Sequence, residues 1–134
     1  MTRHDRAQHE HGSAAVELAF VLPILILLVF GIVQFSLAYN RQQGLHAAAR
    51  EGARIASLPA TTSTEISDRV TDSLDGVSFQ STPTINVTPG LTQPCNGRSG
   101  QTVVVTVTTD NVIDIPLFGG PTVTLTGRGE FRCE

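Results

Sequence analysis

The residues whose types and spacing invite chemistry lie at the mouth of an apolar run. In "HGSAAVELAFVLPILILLVFG" (His11 to Gly31), a glutamate, Glu17, stands five residues after Gly12. A carboxylate within a transmembrane helix costs about 2.5–3.5 kcal/mol even on insertion scales. Three explanations answer why one is kept there. In the first, Glu17 occupies the first turn of a helix starting near Ser13, where negative charge complements the dipole and the free amides. It then lies about 6–8 Å along the axis from the polar leader, within snorkelling reach of water. In the second, the run is a secretory signal cut after Ala38, since Ser36 and Ala38 satisfy the small-residue rule. The apolar region is longer than the usual 7–15 or so residues, however, and the helical pattern runs through that cut. In the third, proteolysis after Gly12 exposes an α-amine on Ser13, which titrates near about 7.7–8.0. Glu17 becomes residue five of the mature chain. In a bundle staggered by about one turn, its carboxylate faces the ammonium of a neighbouring subunit. A buried charge stripped of its partner costs about 3–5 kcal/mol, so such a pair acts as a registry device.

No other constellation offers comparable chemistry. His9-Glu10-His11 has the residue types to grip a metal, but it sits in a solvated leader that the cut removes. Arg50, Glu51 and Arg54 in "REGAR" fit an exposed ion-pair face better than a headgroup or partner site. Asp110 and Asp114 are separated by apolar Val112 and Ile113, with no third acid to complete a calcium loop or a catalytic pair. Asn86-Val87-Thr88 is a glycosylation sequon that matters only in eukaryotic secretion. His46 is the only histidine outside the leader, so no serine–histidine or cysteine–histidine arrangement arises. All nine basic residues are arginine, which excludes Schiff-base and P-loop lysines. With a net charge of −3, no tryptophan and one tyrosine, nucleic acid is not an expected partner. The expectation is a non-enzyme with no cofactor, no metal and no small-molecule substrate.

The elements that must position Gly12 and Glu17 follow from the hydropathy. Residues 1–12 form a polar leader, and from Leu18 to Val33 every residue is apolar apart from Pro23 and Gly31. A bilayer core of about 30 Å needs about 20 such residues, and Ala14 to Val33 or beyond meets that length. Pro23 removes one helical donor, which transmembrane helices tolerate, and marks a kink. Tyr39 falls at the far interface, so residues 13–39 read as one transmembrane helix. "NRQQGLHAAAREGARIASLP" carries no proline until Pro59, so the helix continues through residues 40–58. Leu37, Leu45, Ala48, Gly52 and Ile55 share one face of it. A helix from Ser13 to Leu58 is roughly 69 Å long, about half of it protruding.

Residues 59–134 form an outer head rich in threonine, serine, valine and glycine. Thr62 and Glu65 have capping-box spacing ahead of Ile66, Val70 and Leu74, which predicts a short amphipathic helix. Thr84 to Thr88, Thr102 to Thr109 and Thr122 to Cys133 alternate and favour β-branched residues, as strands do. Pro-Gly, Asn-Gly, Asp-Asn and Gly-Gly-Pro supply the turns between them. The fold class is α+β: a long N-terminal transmembrane helix running into a small pilin-like head with a short helix and an antiparallel sheet of three to four strands. So small a core needs help. A disulfide between Cys95 and Cys133 closes a loop of roughly 40 residues, worth about 4 kcal/mol in the chain-entropy model. The alternative is two unpaired thiols in a cytosolic head. Charge alone leaves the orientation open, because Arg3 and Arg6 precede the span and Arg41, Arg50 and Arg54 follow it. The disulfide and the larger C-terminal part favour leader inside, head outside.

"GSAAVELAFVLP" followed by "FGIVQFSLAYNRQQGLHAAAREGAR" resembles the TadE-like family, minor pseudopilins of tight-adherence (Tad, or Flp) pilus systems. The resemblance spans about Gln8 to Leu58 and is carried by Gly12, Glu17, Pro23, Gly31, Tyr39 and "AAREGAR" from Ala48 to Arg54. It implies that Gly12–Ser13 is the bond cut by a prepilin peptidase, a membrane aspartic protease, and that Glu17 is the glutamate of mature position five. It also implies a non-catalytic subunit of the cytoplasmic (inner) membrane, for pilus biogenesis or surface attachment. Its partners would be that peptidase, other pilin or pseudopilin subunits, the pilus assembly platform and membrane lipid. The competing expectation is an uncleaved, signal-anchored surface protein whose disulfide-closed head is a binding module.

Overall fold

The computed structural model describes residues 3–115 and 119–134, with side chains from Ser13 onward. Helix α1 runs Arg3–Ala56, α2 Ser63–Ser73, and strands β1 Thr84–Thr88, β2 Thr102–Val112 and β3 Thr122–Arg132. The three strands form an antiparallel sheet, as the alternating patterns predict, and its order is the meander β1-β2-β3, which the patterns leave open. Helix α1 begins well before Ser13, because no proline interrupts the leader and Gly12 alone does not stop a helix. It ends at Ala56 rather than Leu58. The Leu58 amide turns to the Ile55 carbonyl (3.1 Å), and Pro59 follows.

From Ser13 to Val33 every residue of α1 is exposed. A helix that is apolar all round is a membrane span or a buried core helix, and none of this one's apolar window is covered by the other described residues. This is a helix apolar enough to cross a membrane, consistent with a single-pass membrane protein.

The head packs on the last turns of α1. Leu45, Ala48, Ala49, Ala53 and Ala56 are fully buried, and Gly52 is buried with them. The contact face therefore keeps Leu45, Ala48 and Gly52 of the predicted one but not its two ends. Leu37 remains 46% exposed and Ile55 only half-buried, because the sheet meets α1 along the i, i+4 row from Leu45 to Ala53. Small side chains on that row let the strands approach. Opposite them, β3 presents Gly127 and Gly129. A Cβ at Gly127 would lie 2.2 Å from the Leu45 carbonyl, and one at Gly129 2.2 Å from the Ala49 carbonyl oxygen. Two strand residues thus match four helix residues, so β3 runs alongside α1 in the same direction. Polar bonds continue the alignment: Gln42 Nε2 donates to the Thr126 carbonyl (2.6 Å), the Arg128 amide to His46 Nδ1 (3.4 Å) and the Glu134 amide to the Ser57 carbonyl (3.0 Å).

Val103, Val105 and Val107 of β2 point into the same core, as do Ile66 and Val70 of α2. The predicted capping box is present: Thr62 Oγ1 accepts from the Glu65 amide (3.3 Å), and the Thr62 amide donates to Glu65 Oε2 (2.7 Å). Asp110-Asn111 is not a turn, contrary to the punctuation read from sequence. The strand continues through it to Val112 because Asn111 is buried and accepts from the Arg41 guanidinium, while Asp110 accepts from Thr124 Oγ1 (2.8 Å). The β2–β3 connection includes residues 116–118, which lie outside the described residues.

Candidate assembly and processing site

Gly12, Ser13 and Glu17 follow one another along α1, with Pro23 less than two turns further on. At 1.5 Å per residue, Ser13 and Glu17 are about 6 Å apart along the axis, and Glu17 lies roughly 42 Å from Leu45, where head packing begins. Both Ser13 and Glu17 are exposed. The Gly12–Ser13 peptide lies inside a helix, so a protease acting there must unwind it locally. A glycine makes that easier, being about 1 kcal/mol worse than alanine in a helix interior. Pro23 sits in an otherwise continuous α1, where it leaves the Ala19 carbonyl without its helical donor. The side chains of His9, Glu10 and His11 lie outside the described residues.

At the far end, Cys95 and Cys133 form a disulfide with Cα atoms 5.3 Å apart, spanning 38 residues, and both are buried. The Cys133 amide donates to the Gln101 carbonyl (2.7 Å) and the Gly100 amide to the Cys133 carbonyl (2.8 Å). The bridge thereby ties the turn before β2 to the end of β3.

The "REGAR" segment is an ion-pair face, with one member the sequence did not single out. Glu51 accepts from Arg54 on its own helix (2.9 Å) and from Arg69 on α2 (3.0 Å). Hydrogen bonds from Arg54 and then Arg69 hold its carboxyl at about 2, against an ordinary 4.5. The carboxyl of Glu65 is also lowered, by the Thr62 amide and hydroxyl that donate to it. Gly127 and Gly129 were likewise not identified as contact residues. The available signal was two glycines at i, i+2 within a strand pattern, which marks a close backbone approach.

Together these features define a class: a helix apolar enough to cross a membrane that continues unbroken into a small, disulfide-closed α+β head. A family model described as TadE-like protein matches residues 12–54, about a third of the chain. Over that segment the chain is similar to the TadE-like family, in line with its sequence resemblance. No curated protein and no solved structure matches it significantly.

Proposed function

We propose that this protein is a pilin-like subunit of a tight-adherence pilus apparatus, held in the membrane by α1 and cut by a prepilin peptidase between Gly12 and Ser13. One observation carries this most directly: the TadE-like match begins at Gly12 and covers the exposed apolar part of α1 and most of the turns on which the head packs. Residues 1–12 are then a cytoplasmic leader, residues 13–39 the membrane span, and the disulfide-closed head lies outside.

The mechanism is assembly rather than turnover. Cleavage removes the leader and leaves an α-ammonium on Ser13, about one turn from Glu17. Within one helix the two groups flank the same turn. Between helices, a shift of about one turn sets the carboxylate of one subunit against the ammonium of another. In lipid each charge is tolerated only with its partner, so the pair favours one register between neighbours.

Substituting Glu17→Gln tests this. The variant should still reach the membrane fraction, while its co-purification with partner subunits falls about tenfold or more, the effect of losing about 1.4 kcal/mol of pairing. Co-purification at the wild-type level would reject the pairing role.

A further inference from the structure

Beyond Asn111 the β2–β3 hairpin reaches past the body of the head towards the apolar half of α1. Gly127 lies against Leu45 and Gly129 against Ala49, so each strand residue advances by about two helix residues. Carried back to the start of β3 and just beyond it, this places Val123 about level with Leu37 and Pro121 about level with Val33, where the apolar run ends. The helix surface agrees. Gln34 and Ala38 are half-buried on the row that leads through Gln42 to the head, whereas Ala14, Ala15 and Ala19 further back on α1 are exposed.

Two properties of this end suit lipid. The hairpin closes on bonds between its own backbone groups, as a water-poor environment requires. The Ile113 amide donates to the Pro121 carbonyl (3.1 Å), and Ile115 and Gly119 exchange amide–carbonyl bonds (3.3 and 2.9 Å). Gly120 admits that closure, since a Cβ there would lie 1.5 Å from the Ile113 carbonyl oxygen. On the outer side of β2, Gln80 donates to the Val112 carbonyl (3.2 Å) and accepts from the Val112 amide. The second property is that exposed apolar side chains stand on both faces. Val112 pairs with Thr122, and Asn111 with Val123 on the adjoining rung. Val112 and Val123 therefore point to opposite sides, and they are 41% and 37% exposed. Ile113 and Ile115 beyond them are half-buried. A patch for a protein partner lies on one face, whereas a tip surrounded by lipid is apolar on both. Asp114, exposed between the isoleucines, holds this end at the headgroup level and out of the hydrocarbon. The neighbouring charges are engaged, Arg41 with the Ser78 carbonyl and Asn111, and Asp110 with Thr124.

We infer that this end of the hairpin is a second membrane contact, with Val112, Ile113, Ile115 and Val123 set into the headgroup–acyl boundary beside the point where α1 leaves the bilayer. The occupant is lipid, because the apolar surfaces of α1 and of the hairpin end meet at one level. The inference rests on the membrane-held reading above. Its consequence is a head fixed in rotation as well as in height, since the bilayer is touched at two points.

The chain has no tryptophan, so one introduced indole is an unambiguous reporter. Val112→Trp, Val123→Trp, Phe30→Trp and Leu91→Trp are made singly in the full chain and reconstituted into phosphatidylcholine vesicles, with or without bromine near the top of the acyl chains. Phe30→Trp reports on the span. Leu91→Trp is the baseline: its position is exposed and lies beside Thr92, which accepts from the Ser63 amide at the far end of the head. Val112→Trp and Val123→Trp should each lose about half of their emission to the brominated lipid, as side chains at the headgroup–acyl boundary do, while Leu91→Trp loses little. Quenching of Phe30→Trp without quenching of the two hairpin positions overturns the hairpin contact and leaves the span standing. An unquenched Phe30→Trp removes the membrane-held reading and the contact with it. Quenching of only one hairpin position, equal quenching of Leu91→Trp, or quenching that fades as the protein-to-lipid ratio rises, as cover by a second copy would give, also overturns the contact.

Discussion

At the scale of single residues, the attachment of head to helix depends on atoms that are missing. Gly127 and Gly129 have no side chain where the Leu45 and Ala49 backbones pass, and in each case the obstacle is a carbonyl that cannot turn aside as a side-chain tip could. Overpacking of this kind costs about 1–3 kcal/mol or more. Gly129→Ala should therefore lower the melting temperature of the head by several degrees or prevent its docking on α1, as followed by thermal denaturation in detergent. Gly31→Ala is the matched control, because a Cβ there meets nothing within 4 Å. Equal melting of the two variants would contradict the close-approach explanation. Glycines in a strand pattern gave a readable signal at this site, but the sequence could not say which backbone they admit.

At the scale of elements, α1 and α2 are joined by a packed face and by one carboxylate shared between two arginines. The Glu51 carboxyl has its pKa lowered from 4.5 to about 2 by Arg54 and Arg69. Its contribution to stability is therefore fully present above about pH 4.5 and is lost as the pH falls towards 2. Both arginines are about half exposed, so solvent screening reduces that contribution to about 1 kcal/mol or less. Glu51→Gln should lower stability slightly at neutral pH and flatten the acid limb between pH 4.5 and 2 in a urea titration, leaving the part due to Glu65. An acid limb as steep as that of the wild type would contradict the assignment.

Element types were legible where periodicity and caps agreed. The Thr62–Glu65 box, the three strand segments and the pairing of Cys95 with Cys133 follow from local pattern and cysteine count. What escaped the sequence was long-range. The Asp110-Asn111 pair reads locally as a turn, yet the Arg41 guanidinium from α1 satisfies Asn111 and carries β2 past it. Leu45, Ala48 and Gly52 of the predicted α1 face are buried, while Leu37 and Ile55 at its ends are not, since the direction from which the sheet approaches is set by β3 and not by the helix. Arg69 reaches Glu51 only because α2 folds back along α1.

At the scale of the whole molecule, two parts with opposite needs share one helix. The apolar half of α1 has no covering partner among the described residues, whereas the distal half anchors a head too small to build a large core unaided and closed by a disulfide worth about 4 kcal/mol in the chain-entropy model. A continuous helix transmits position between them: in the proposed assembly, what fixes the register at Glu17 also fixes the height of the head. That proposed coupling requires the Ser13 amine, and hence the cut. The most direct measurement is intact-mass and N-terminal analysis of the protein recovered from membranes of cells with an active prepilin peptidase. The expected result is a chain beginning at Ser13, with the leader through Gly12 removed. A chain recovered uncut, or one beginning at Tyr39, would contradict the proposed processing and leave Glu17 without its cationic partner.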